Sequence, residues 1–241
     1  MPRDFTRIPV AVLLVLLFTA GCNAGGNASE PGQTDDPYAE LLAQLNGDAA
    51  RYRWLRDFDT HGWASGATFS FVRGIPQDEV IRRFADGRAS ALPTASMDEA
   101  IDIGVRYAFD EKSAAVVDTI GEWTIIAEAN GWLGATPDVI ERASKGGELI
   151  SVYWNVNGVT WINYASNGTL VTAFEAIFPD DREGSDPDKL NALMDGLPFG
   201  VHPLMAIAGM SLAGRLTGVW LDPEWAATPH RAVLASAFHE W

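Results

Sequence analysis

Three largely apolar runs, residues 149–156, 159–166 and 169–176, are rich in β-branched and aromatic side chains and are broken by short polar pairs. The pattern predicts three strands. Asn157-Gly158 and Asn167-Gly168 separate them. Asn-Gly suits a two-residue type I′ turn, because both residues tolerate positive φ. The spacing therefore predicts a three-stranded antiparallel meander over 149–176. With these turns as loops, Trp154 stands opposite Trp161, Asn155 opposite Thr160, Trp161 opposite Phe174, and Thr160 opposite Glu175. One face then carries Trp154, Trp161 and Phe174 in a row. The other face ends in a polar row of Asn155, Thr160 and Glu175. Both faces are apolar enough to need cover, by helices on both sides or by helices on one and long loops on the other.

Elsewhere the period changes. Tyr38, Leu41, Leu42, Leu45, Ala49, Tyr52 and Leu55 recur at helical spacing behind the Asp36-Pro37 start signal. Residues 67–73 alternate, and residues 114–118 and 122–129 also read as strands. Helices are expected over 77–85, 96–103 and 138–144, the last opened by Thr136-Pro137. Asp186-Pro187 starts a helix to Met194, residues 203–216 form an apolar helix, and Pro223 and Pro229 punctuate a helical C-terminus. The fold class is α+β: a central, largely antiparallel sheet, helices packed on it, and a helical C-terminal part over 186–241.

The first residues have a different character. Arg3 and Arg7 precede an apolar run over 8–18, too short for the roughly 20 residues of a membrane span and suited to a signal-peptide core. The run ends in Thr19-Ala20-Gly21-Cys22, which resembles the bacterial lipobox, with Thr19 where an aliphatic residue is usual. That resemblance implies a diacylglycerol on Cys22 and cleavage before it. Cys22 is the one cysteine of the chain, so it has no disulfide partner within it. Residues 22–37 are rich in Gly, Asn, Ser, Asp and Pro and read as a flexible tether with a reach of about 20 Å. The expected organisation is a lipoprotein signal peptide (1–21), a tether (22–37) and one α+β domain (38–241). The expected address is the extracytoplasmic face of the cell membrane, held there by the lipid on Cys22.

Charge narrows the partners. The chain carries −15 at pH 7, and loss of residues 1–21 makes it −16. Such acidity argues against nucleic acid and against broad contact with anionic lipid, and leaves a protein or small-molecule partner unspecified. No metal or nucleotide motif is present, so no cofactor is expected. Gly209-Met210-Ser211-Leu212-Ala213 approaches a nucleophile elbow but lies in a helical apolar run and ends in Ala. The acidic stretch at Asp180, Asp181, Glu183, Asp186 and Asp188 does not have EF-hand spacing and reads as a solvated loop. The residues left with chemistry to offer are Glu128 and Glu175, near strand ends, with Asn130, Trp132, Asn155 and Thr160 as polar or aromatic neighbours. Two carboxylates beside an amide and a hydroxyl suit acid–base work or the grip of a polar ligand. Trp132, Trp225 and Trp241 are expected to be exposed.

A set of short motifs carries a family resemblance: Phe71-Val72-Arg73-Gly74, Glu128-Ala129-Asn130-Gly131-Trp132, Trp154-Asn155-Val156-Asn157, Phe178-Pro179, Asp186-Pro187-Asp188 and Leu216-Thr217-Gly218-Val219. In this order and spacing, over about residues 50–230, the chain resembles an actinobacterial family described as a domain of unknown function. The resemblance implies a bacterial origin and brings no activity, cofactor or site residue. The sequence thus supports a membrane-tethered binding domain first. The alternatives are a hydrolase-like enzyme using Glu128 and Glu175, and an inhibitor or immunity-type protein. A non-enzyme is favoured, because no catalytic motif is complete.

Overall fold

The computed structural model describes residues 38–56, 62–107 and 112–236. The Asp36-Pro37 signal, Cys22, the tether and Trp241 lie outside them. Nine strands form one sheet: β1 (Ala67–Arg73), β2 (Ala89–Ala95), β3 (Lys112–Ile120), β4 (Trp123–Ala129), β5 (Glu148–Trp154), β6 (Thr160–Ser166), β7 (Thr169–Glu175), β8 (Arg182–Glu183) and β9 (His230–Ser236). Their order across the sheet is β2-β9-β3-β4-β1-β5-β6-β7-β8. Every neighbouring pair is antiparallel. The edges are β2, which contains Pro93 and slips register against β9 between Leu92 and Ala95, and the two-residue β8.

Among the described residues there are also eight α-helices, α1 (Ala39–Gln44), α2 (Gly47–Ala50), α3 (Gln77–Phe84), α4 (Met97–Tyr107), α5 (Pro137–Ser144), α6 (Asn191–Met194), α7 (Met205–Thr217) and α8 (Pro223–Ala227), and three short 3₁₀ turns. Among these residues no helix is long and apolar enough to cross a membrane. Helices cover both faces of the sheet. On one face Phe69, Ile125, Val152, Ile162 and Phe174 pack in a core with Ile207, Met210 and Leu212 of α7. Gly209 lets α7 close on β5, since a Cβ there would stand 2.6 Å from Val152 Cγ1. On the opposite face Val72, Ile126, Leu149 and Ala165 pack with Val80 and Phe84 of α3 and with Val139 and Ile140 of α5. Double cover explains why β1 and β4 are buried nearly throughout instead of alternating.

The register between β5 and β6 differs from the sequence expectation by one residue. Trp154 pairs with Thr160, and Tyr153 with Trp161. The reason is Asn155. Its Oδ1 accepts from the N–H groups of Asn157 and Val159 (2.9 and 3.3 Å), and its carbonyl accepts from Gly158 N–H (3.0 Å). The reversal therefore starts at Asn155, and only Gly158 of the Asn157-Gly158 pair takes positive φ (+78°). Asn167 and Gly168 both take positive φ, and Ser166 pairs with Thr169. A bulge between Tyr164 and Ala165 then moves the rest of that ladder, so Trp161 faces Glu175 and Ile162 faces Phe174.

Because side chains alternate, a one-residue slip changes faces. Trp154 is buried, stacked on Phe69 at 5.5 Å and donating to the Ala64 carbonyl at 2.8 Å. Trp161 is 38% exposed on the other side. The shared indole face and the Asn155–Thr160–Glu175 row do not form. The C-terminal part is also corrected: α7 and α8 are followed by a strand, β9, inserted between β2 and β3. Thr228 and Pro229 separate the end of α8 at Ala227 from the start of this strand at His230. In the expected helix from 186, only Asn191–Met194 is helical.

Candidate functional site

Two of the expected site residues meet in a cleft. The loop after β5, the start of β6, the 3₁₀ turn Arg53–Arg56 and the start of α7 enclose a space of about 370 Å³. Asn155 and Thr160 line it, together with Tyr38, Arg56, Trp154 and His202. The Arg56 guanidinium lies over the Tyr38 ring, 5.3 Å from its centroid, and the His202 ring meets Tyr38 edge-on at 6.1 Å. Asn155 has its amide committed to the loop, with Nδ2 donating to Tyr153 Oη at 3.0 Å. It shapes the cleft more than it offers itself to a ligand. Thr160 is 2% exposed.

Helix α7 enters the cleft uncapped. Leu204 stands at its N-cap with no side-chain hydrogen bond, and its first turn carries no acid. The first helical bond runs from Ala208 N–H to the Leu204 carbonyl. The N–H groups of Met205, Ala206 and Ile207 precede it, and all three residues line the cleft. These are the donors that a helix leaves unsatisfied at its start. Among the described lining residues none is acidic, although the chain has 32 acidic against 17 basic residues.

Glu128 and Glu175 do not come together. They share a face but stand at opposite ends of the row Glu128, Thr68, Tyr153, Trp161, Glu175. Four inter-strand steps separate them by about 19 Å, well beyond the ~10 Å limit of a carboxylate pair in glycoside hydrolysis. Glu128 is fully buried. Its carboxylate accepts from Leu133 N–H (3.0 Å), Gly134 N–H (2.9 Å) and the Ser113 hydroxyl (2.9 Å). Burial pushes its pKa up to about 7, against the lowering effect of those three bonds. Gly131 and Gly134 seal it: a Cβ at Gly131 would stand 2.7 Å from Glu128 Oε1, and one at Gly134 would overlap the Ser70 hydroxyl. Glu128 thus ties the segment after β4 onto the sheet. Asn130 turns that segment, with φ +55° and its N–H donating to the Gly66 carbonyl at 2.9 Å. Trp132 is 48% exposed. Trp225 is packed, stacked on His230 at 4.6 Å and donating to Asp118 at 2.9 Å.

The remaining chemical candidates have structural explanations. Ser211 is buried in α7, its hydroxyl donating to the Ile207 carbonyl at 2.7 Å. Arg182 lies within 3.8 Å of Asp180 and Asp188 and also bonds Asn191, so it organises the acidic loop. Among the described residues no group of three or more His, Cys, Asp and Glu is placed to hold a metal ion.

Tyr38, Arg56, His202 and the α7 start were absent from the sequence-derived site. Only Pro203, directly ahead of an apolar helix, marked a helix terminus, and nothing local placed that terminus beside Asn155.

These elements define an α+β domain on one wide antiparallel sheet, with a cleft where the β5–β6 loop meets a helix start. No curated protein and no solved structure matches the chain. The chain belongs to the family of unknown function DUF6461, whose match covers residues 46–230.

Proposed function

We propose that this protein is a lipid-anchored bacterial binding protein of the extracytoplasmic membrane face, tethered through Cys22, and that its ligand is a small molecule held in the cleft at the β5–β6 loop. The observation that carries the reading is the cleft itself. Its volume of about 370 Å³ falls within the range of small-molecule sites. Its lining combines apolar walls with a few convergent polar groups, as such sites do. The separation of Glu128 from Glu175 by four strand spacings favours binding over hydrolysis by that pair. The address rests on the sequence alone: the apolar run 8–18, Thr19-Ala20-Gly21-Cys22 and a single cysteine.

Two measurements test the two halves. Full-length protein purified from membranes should retain a small molecule that native mass spectrometry detects. Ala206→Trp, at a half-buried lining position, should fill the cleft and abolish retention with little change in melting temperature. Retention undiminished by Ala206→Trp would overturn the cleft. Cys22→Ser should release the protein or leave its precursor unprocessed; normal maturation and membrane retention would overturn the anchor.

A further inference from the structure

Among the described residues seven large apolar side chains are exposed. All seven stand at one end of the sheet, where β4, β5 and β7 finish and β1, β3 and β6 begin. We infer that this end is a docking surface for the bilayer that holds the lipid on Cys22, and that docking sets the mouth of the cleft at the lipid surface. The inference rests on the anchor proposed above.

The placement follows from pairing and backbone hydrogen bonds. Ala129, Ala67, Trp154 and Thr160 form one row across this end. Trp132 lies three residues beyond Ala129, Val156 two beyond Trp154, and Trp161 directly after Thr160. Phe178 is held beside the end of β7 by its N–H, which donates to the Glu175 carbonyl at 2.9 Å. Val201 follows Gly200, whose N–H donates to the Ala176 carbonyl at 2.9 Å. Helix α4 arrives at the same end. A Cβ at Gly104 would stand 3.7 Å from the Ala129 carbonyl, and Lys112, the first residue of β3, holds its ammonium 5.8 Å from the Tyr107 ring centroid. Val105 and Tyr107 are therefore carried there too. The opposite end turns through Gly121-Glu122, Gly146-Gly147 and Asn167-Gly168 and, among the described residues, exposes no large apolar side chain.

Exposed apolar surface gathered in one region marks an interaction site, and the entry of the chain says what covers it. Tyr38 lines the cleft at this same end, sixteen residues after Cys22. A chain of that length and composition has an r.m.s. reach of about 20 Å. A domain of this size is about 40 Å across. A lipid on Cys22 therefore keeps the Tyr38 end near the bilayer and the opposite end away from it. The side chains suit that surface. Tyr107, Trp132 and Trp161 are of the amphipathic aromatic kind that sits at headgroup level, and Phe178 with the three valines adds apolar area to bury. Both signs of charge are present. Arg106 and Lys112 flank Tyr107, whereas Glu175 faces Trp161 and Asp180 and Asp181 follow Phe178. Apolar burial, not attraction to anionic headgroups, drives the docking.

The test uses mature, full-length protein reconstituted through its lipid into phosphatidylcholine vesicles. With Cys22 blocked by the lipid, Val105→Cys, Val156→Cys, Phe178→Cys and, at the opposite end, Glu122→Cys each supply one thiol for a nitroxide label. By paramagnetic resonance the ratio of oxygen to water-soluble nickel-chelate accessibility should be several-fold higher at the first three than at Glu122. High salt should leave that pattern unchanged. Adding Val156→Asp and Phe178→Asp to the Val105→Cys protein should return its label to water and leave the melting temperature within a few degrees, since both side chains are exposed. Mass spectrometry of the same samples reads the lipid. A lipidated protein whose three end labels match the Glu122 label would overturn the docking and leave the anchor standing. A mature protein without the lipid would overturn both. Spin–spin broadening between neighbouring copies at this end, with the labels still in water, would assign the surface to a second copy and overturn the bilayer as its partner.

Discussion

Trp154 and Trp161 lie on opposite faces of the sheet. Trp154 stacks on Phe69 with 6° between the rings, and Trp161 stands across from Glu175 with 38% of its surface exposed. Trp154→Ala removes a buried indole and the donor to the Ala64 carbonyl, and should cost about 3–5 kcal/mol. Trp161→Ala should cost about 1 kcal/mol or less. Urea unfolding of the two variants measures the difference, and equal losses would mean that the register is that of two adjacent Asn-Gly turns.

Glu128 should make stability depend on pH in an unusual direction. Its folded pKa, about 7, lies above the ordinary value of 4.5. The folded state therefore favours the protonated carboxyl. That contribution is fully present below about pH 4.5 and is lost as pH rises through about 7. The loss is on the order of 3 kcal/mol. In urea titrations at pH 5 and pH 8, wild type should weaken at the higher pH. Glu128→Gln should flatten that component of the profile, with a constant cost of about 1–3 kcal/mol because its amide cannot accept from both Leu133 and Gly134.

The Ser70 hydroxyl is buried beneath Gly134 and makes no hydrogen bond. Ser70→Ala should therefore be neutral or stabilising by up to about 1 kcal/mol. Gly134→Ala drives a methyl group into Ser70 and should destabilise by about 1–3 kcal/mol. In the double variant part of that cost should disappear. A thermal-unfolding double-mutant cycle that shows simple additivity would separate the two residues.

Asn155 holds the β5–β6 loop through two accepted N–H bonds. Asn155→Asp keeps both acceptors and should lie within about 0.5 kcal/mol of wild type. Asn155→Ala should lose about 1–2 kcal/mol, read by denaturant unfolding. It should also broaden binding in the cleft that the loop borders.

Much of the sheet was legible because local chemistry and tertiary context agree. At Asn167-Gly168 nothing competes with the dipeptide, and both residues take positive φ. At Asn157-Gly158 a neighbour competes. Asn155 carries its own turn-forming oxygen and draws the reversal back by one position. Periodicity alone does not weigh one Asn against another. The strands β2 and β9 were hidden for a different reason. Pro93 argues against a strand unless it lies at an edge, and edge placement is a property of the whole sheet. Residues 232–235 of β9 are buried on both faces, so they show no alternation. Glu128 was recognised as unusual, but its role depends on Leu133 and Gly134 folding back over it. The cleft joins residues far apart in sequence, Tyr38 and Arg56 with Asn155, Thr160 and His202, and no spacing rule connects them.

The rims of the sheet bear on how copies of this chain behave side by side. One rim is broken by Pro93 and a slipped register, and the other is only Arg182–Glu183. An unpaired rim normally offers a row of backbone groups to which another molecule can add a strand. Here neither rim offers a long, regular row. At high local concentration these blunted borders oppose strand-by-strand polymerisation of the chain.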